Sequence, residues 1–308
     1  MTMPGQPGQA RAVLSADEVA AYHRDGYLVP EYRLPAAVLE RLVALTSEVV
    51  EKNEGSIDQP LLGVHIPGSG RQQLKVPAGF INIAAHPDIL DMMEQLIGPD
   101  LILWGSVLFY KRAHQGPVTP WHRDATAYPI EPMATTSIWI AVTDSKLDNG
   151  CLRFIPGSHA AREAGTHDKT ARAGEYFAGS LDAGEFDESQ AVDVELQAGQ
   201  MVVFDVYAIH GGRANHGARA RGGYSLRFMP GTSVFRHDAA QNRDQVGYGH
   251  ETRALLLVRG EDRTGRNDFR RGHPAPAAAG GTARVATATS ATTPATPAMA
   301  KATAVSEP

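Results

Sequence analysis

Two apolar runs decide the architecture: Leu101-Ile102-Leu103-Trp104-Gly105-Ser106-Val107-Leu108-Phe109-Tyr110 and Thr136-Ser137-Ile138-Trp139-Ile140-Ala141-Val142-Thr143. Both are rich in β-branched and aromatic residues, and both are too short and too β-favouring for buried helices. From Leu101 onward, runs of this kind recur with Gly and Pro between them, the spacing of short strands joined by turns. That pattern predicts a double-sheet jelly roll of the cupin type, a double-stranded β-helix.

Working outward, the segment before Leu101 changes period. Ser15 followed by Glu18 reads as a capping box, and Val38, Leu39, Leu42, Val43, Leu45 and Val49 between Pro35 and Lys52 recur at helical spacing. A further helix is predicted from Pro87, with apolar positions through Ile97 and a stop at Gly98-Pro99. The fold class is therefore α+β, mainly β, with N-terminal helices buttressing the jelly roll.

Between the two strand runs lies Pro120-Trp121-His122-Arg123-Asp124. With 12 His and 18 Asp in 308 residues, a His-x-Asp triplet is expected roughly 0.7 times by chance, so the spacing alone is weak. It occurs at three places. His23-Arg24-Asp25 sits at the end of the first helical pattern before Gly26, and His86-Pro87-Asp88 at the start of a later one; both read as helix boundaries. His122 and Asp124 instead belong to an extended segment, where residues two apart point the same way and Arg123 faces away. Taken alone, the pair fits a metal site or a surface loop equally well. With His210, at the end of Val203-Phe204-Asp205-Val206-Tyr207-Ala208-Ile209-His210, it can supply the two imidazoles and one carboxylate of a non-haem iron centre.

The stretch Asp148-Asn149-Gly150-Cys151-Leu152-Arg153-Phe154-Ile155-Pro156-Gly157-Ser158-His159 resembles the "NGxLxxxPGSH" signature of the phytanoyl-CoA dioxygenase family of Fe(II)- and 2-oxoglutarate-dependent oxygenases. The resemblance runs from about residue 14 to about 236. It takes in Leu14 through Val29, Ala198 through Asp205, and the ending His210-Gly211-Gly212-Arg213-Ala214-Asn215, Arg221. It implies that His122, Asp124 and His210 hold Fe(II), that Arg221 pairs with the far carboxylate of 2-oxoglutarate, and that O2 is the oxidant. A planar guanidinium suits that task, because it stays charged and grips a carboxylate with two parallel bonds. Arg219 and Arg227 are rivals by position. Lys75 and Trp139 stand where similar family residues contact the cosubstrate; an exposed loop lysine and a core aromatic are the plain alternatives. This chain departs from the family in having Arg123 where Gln is common, and Gly212 where a Ser hydroxyl normally helps hold the cosubstrate. Another group must then compensate. The implied reaction is hydroxylation of a small molecule with release of succinate and CO2. Desaturation or rearrangement in natural-product biosynthesis and a non-catalytic metal-binding cupin-like module are the alternatives. Related halogenases have a small residue at the Asp124 position, so the carboxylate argues against chlorination.

Composition divides the chain into a flexible N-terminus (1–13), the oxygenase domain (14–273) and a tail (274–308). The tail is so dominated by Ala, Thr, Pro and Gly that it is expected to be disordered. Two long connections, about 55–79 and about 159–191, are candidates for lids or for simple disorder. A net charge of −5 gives no footprint for nucleic acid. A single cysteine, Cys151, and no apolar stretch suited to a signal peptide or a membrane span point to a cytoplasmic protein. A small-molecule substrate is the expected partner, and the oligomeric state is open.

Overall fold

The structure, a computed structural model, describes residues 12–69, 72–168, 170, 172–240 and 249–274. The expected flexible N-terminus and the Ala/Thr/Pro-rich tail lie outside the described residues, apart from 12–13 and 274.

Four helices come first. Helix α1 (Ala16–Asp25) begins at Ser15, whose Oγ accepts from the Glu18 amide at 3.2 Å while the Glu18 carboxylate accepts from the Ser15 amide at 2.8 Å. It ends at Gly26, in the left-handed region at φ 79°. Helix α2 (Ala36–Lys52) buries Leu42, Leu45 and Val49. After the short α3 (Phe80–Ala84), α4 (Pro87–Ile97) starts with His86 as its cap, the imidazole accepting from the Asp88 amide at 3.3 Å. The helix-boundary readings of two of the His-x-Asp triplets are thus seen directly. Among the described residues no helix is long and apolar enough to cross a membrane.

Two main antiparallel sheets follow, besides two minor two-stranded ones among the described residues. The large one runs Tyr27–Leu28, Met201–Asp205, Thr136–Ala141, Arg221–Pro230, Leu101–Lys111, Leu256–Arg259, with Leu61–Leu62 also paired to Leu101–Lys111. The small one runs Val192–Val194, Leu152–Phe154, His210–Gly212, Thr119–His122. The large sheet is covered on both faces, which explains why its strands read as continuous apolar runs. Ile138, Ile140, Met201, Val203, Tyr224, Leu226 and Phe228 face the helices and pack with Leu42, Leu45, Phe80 and Met92. The alternating set Trp139, Ala141, Val202 and Phe204 faces the small sheet and packs with Leu152, Phe154 and Val194. Each fully buried Leu, Ile or Val contributes roughly 2 kcal/mol of transfer free energy, so both interfaces stabilise the sandwich.

The fold is the expected jelly roll, although two strands of the large sheet are long: Leu101–Lys111 has 11 residues and Arg221–Pro230 has 10. Gly105, Gly222 and Gly223 do not break them; each is paired in register with a neighbouring strand. The 159–191 connection holds a two-stranded hairpin (His167–Asp168 with Ser180–Leu181) and short 3-10 turns. It docks against the small sheet through Val118, whose amide donates to Gly174 at 2.7 Å and whose carbonyl accepts from Tyr176 at 2.8 Å.

Candidate active site

The small sheet brings His122 and His210 together by register. They are cross-strand partners, with ring centroids 4.1 Å apart. Asp124 opens the 3-10 turn just beyond the strand, and its Oδ1 lies 3.7 Å from His122 Nε2. One ligand atom from each of His122, Asp124 and His210 falls within 4.8 Å of the others, a spacing that can hold a metal ion. The rings are oriented by the chain itself. His122 Nδ1 lies 2.8 Å from the Pro120 carbonyl and His210 Nδ1 lies 3.0 Å from that of Ala208. Nδ1 therefore carries the proton in each, and Nε2 is left as the free donor.

Electrostatics agree with that donor set. Burial, helped by His210, pushes the His122 imidazolium down to about 3, and burial also lowers His210. For Asp124 burial acts to raise the pKa, but Arg227, His210, His122 and a hydrogen bond from Tyr128 outweigh it and hold the carboxyl below its usual range. At neutral pH the three groups are two neutral imidazoles and a carboxylate, the protonation states a divalent metal requires. Phe177 presents its edge to His122 at 4.9 Å, and Phe204 and Phe154 pack on His210 at 4.7 and 5.6 Å. Arg123 does face away from the triad, but into the covering connection, where Glu185 lies 3.8 Å from its guanidinium.

Arg221 sits on the inner face of the large sheet and is 1% exposed. Its Nε and Nη2 donate to the Gly150 carbonyl at 3.1 and 2.6 Å, and its guanidinium lies over the Trp139 ring at 4.9 Å. Burial lowers its pKa to about 10, so it stays charged at neutral pH. The structure separates it from its rivals. Arg219 is exposed beside Asp144, while Arg227 stands over Trp104 and Tyr128, where its charge acts on Asp124. Lys75 is not brought to this group: it is exposed, and its described bonds are backbone ones to Asn53. A residue that sequence reasoning passed over, Lys111, is fully buried next to Arg221.

The 148–159 stretch turns out to be framework. The Asn149 side chain closes the turn by accepting from the Lys146 amide at 2.6 Å and donating to the Asp144 carbonyl at 2.8 Å. Gly150, at φ 86°, presents the carbonyl that Arg221 grips, and a Cβ there would lie 2.5 Å from the Arg213 carbonyl oxygen. Ser158 Oγ accepts from the Ile209 amide at 2.9 Å, fixing the residue that precedes His210.

Comparison with known proteins follows the same outline. Residues 22–223 match the phytanoyl-CoA dioxygenase (PhyH) family. A phytanoyl-CoA dioxygenase domain-containing protein 1 homolog of Dictyostelium discoideum is 30% identical over 164 residues, 52% of this chain and 58% of that one. The chain spans about half the length of the first curated relatives it matches. Among solved structures, the apo form of the non-heme monooxygenase ThoJ superposes with a TM-score of 0.61 at 25% identity, covering 80% of this chain and 85% of ThoJ. EctD from S. alaskensis with 2-oxoglutarate and 5-hydroxyectoine gives 0.58 at 20% identity, covering 87% and 88%, a likeness of fold. With two thirds of its length matched and a His-Asp-His donor set in the jelly-roll interior, the chain belongs to the phytanoyl-CoA dioxygenase family of iron- and 2-oxoglutarate-dependent oxygenases.

Proposed function

We propose that this chain is an Fe(II)- and 2-oxoglutarate-dependent dioxygenase that hydroxylates a small molecule. The observation that carries the reading is the pairing of two features in one jelly roll. One is the His122, Asp124, His210 donor set, with Asp124 and His210 buried and His122 half-buried; the other is Arg221, a buried cation with no Asp or Glu partner among the described residues. In this reading the three ligands hold Fe(II) and Arg221 receives the far carboxylate of 2-oxoglutarate, with Trp139 as the surface under the guanidinium. Bound iron with 2-oxoglutarate and O2 supplies the oxidation, which balances as substrate C–H, O2 and 2-oxoglutarate giving C–OH, succinate and CO2.

The protein's own part is arrangement. The Pro120 and Ala208 carbonyls keep both Nε2 atoms available, and the charge of Arg227 keeps Asp124 ionised. Phe177, Phe204 and Phe154 shield the imidazoles from water. The only cysteine, Cys151, is buried, and burial first of all raises its pKa to about 11, so it is not poised as a thiolate.

The test is a screen of small-molecule substrates with Fe(II), 2-oxoglutarate and O2. Succinate release with a product one oxygen heavier supports hydroxylation. A product two hydrogens lighter replaces it with desaturation. Succinate formation that persists undiminished in His210→Ala would refute the proposed centre.

A further inference from the structure

The large sheet buries a second cation beside Arg221. Lys111 is the last residue of its strand and fully buried, and it is the direct cross-strand partner of Arg221. Like charges placed opposite each other on adjacent strands repel, and the burial of both removes the water that would screen them. Among the described residues no Asp or Glu is paired with either; Arg221 and Cys151 bear on the charge of Lys111, and Tyr176 and Cys151 on that of Arg221. Burial first, then Arg221, draws the Lys111 ammonium well below its ordinary range. A buried guanidinium beside a lysine amine with no carboxylate to pair with is the complement of an anion, whose arrival would favour the ammonium form of Lys111.

The position of the ammonium says which anion. Lys111 Nζ donates to the backbone carbonyls of Gly212, at 3.4 Å, and Arg213, two bonds that leave its third N–H available. A Cβ added at Gly212 would lie 3.5 Å from Lys111 Nζ, 3.5 Å from Thr119 Oγ1 and 3.3 Å from the Cys151 carbonyl. The ammonium thus stands next to the space that a Ser at 212 would fill. The Tyr176 ring, carried by the 159–191 connection, lies 5.7 Å from Nζ.

We infer that Lys111 and Arg221 together form a two-cation cradle for the far carboxylate of 2-oxoglutarate, with the Lys111 ammonium standing in for the hydroxyl that Gly212 lacks. The inference rests on the function proposed above. Lys111 is then a determinant of cosubstrate choice, favouring a 2-oxo acid that ends in a second carboxylate over one that ends in a methyl group.

The experiment is calorimetric binding of 2-oxoglutarate and of 2-oxovalerate to the Ni(II)-loaded protein, in the parent and in Lys111→Met. Both ligands offer the metal the same 2-oxo carboxylate, and only the first has the far one. Lys111→Met should weaken 2-oxoglutarate at least about tenfold and leave 2-oxovalerate unchanged. Adding Gly212→Ser to Lys111→Met should recover part of the loss. If Lys111→Met does not fold, Lys111→Gln, which can still donate to the Gly212 and Arg213 carbonyls, gives the same comparison. Equal weakening of both ligands would show Lys111 to be a strand fastener only, and unchanged binding of both would also overturn the inference. A parent that binds no 2-oxoglutarate would overturn the proposed function together with this inference.

Discussion

A single absent methyl group governs how Arg221 is supported. Gly223 faces inward beside Trp139, and a Cβ there would lie 1.8 Å from the indole Cζ2. Gly223→Ala must displace a rigid, buried ring, so it should cost about 2 kcal/mol or more and weaken 2-oxoglutarate binding. Denaturant melts and calorimetry check both, and parent-like values would mean that the indole is not held there. His65 gives a pH prediction. It is buried with Nδ1 2.7 Å from Ser106 Oγ, and burial first, then Arg253, takes its pKa down to about 3. The unfolded chain takes up this proton near pH 6.5 and the folded one only near 3, so the stabilisation is complete above 6.5 and drains away as pH falls. At pH 5 the loss is about 2 kcal/mol. Metal-free His65→Gln should lose correspondingly less than the parent between pH 7 and 5, and identical losses would sink the assignment. Trp139 entered as a candidate only through its place in the family resemblance, and in the structure its ring lies 4.9 Å from the Arg221 guanidinium. Lys111 was not legible in the sequence, because nothing in a run ending Phe109-Tyr110-Lys111 says that a terminal lysine turns inward, and Gly212 lies 101 residues away. Lys75 shows the converse: a loose linear correspondence made it a candidate, whereas in the structure it is exposed and bonded through its backbone to Asn53.

At the level of elements, what could be read were those with local causes. The Ser15 capping box, the Pro87 start and the Gly26 stop involve neighbours in sequence, and each appears where its chemistry calls for it. The same logic separates the His-x-Asp triplets experimentally. His122→Ala should lower Ni(II) affinity at least about 100-fold, as expected for loss of one of three ligands. His86→Ala should leave that affinity intact and cost no more than about 1 kcal/mol, the scale of a helix cap. Equal losses of Ni(II) affinity would contradict the division. The 159–191 connection was not legible, since its Gly, Ala, Asp and Glu content also describes a disordered chain. Its order comes from distant partners: the Tyr176 hydroxyl donates to the Tyr110 carbonyl, Phe177 meets His122, and Glu185 faces Arg123.

For the whole molecule, both main interfaces and the candidate site lie within the described residues up to 274. Residues 275–308 carry almost no large apolar side chain, so a chain ending at Pro274 should melt within about 2 °C of the parent and bind Ni(II) equally. A drop of more than about 5 °C would reveal packing by that segment. The jelly roll was readable because β-favouring apolar runs broken by Gly and Pro are written along the chain, whereas the pairing of strands across the sandwich is a product of the whole chain. One consequence of that pairing concerns motion. The imidazoles belong to the small sheet, Arg221 and Lys111 to the large one. A molecule gripped at one end by the metal and at the other by the cations would tie the two leaves together as a rung ties the rails of a ladder. Metal alone should then slow amide exchange chiefly around His122 and His210, and addition of 2-oxoglutarate should extend that slowing to the Leu101–Lys111 and Arg221–Pro230 strands. Protection confined to the small leaf in the ternary complex would mean that the rung does not reach the far rail.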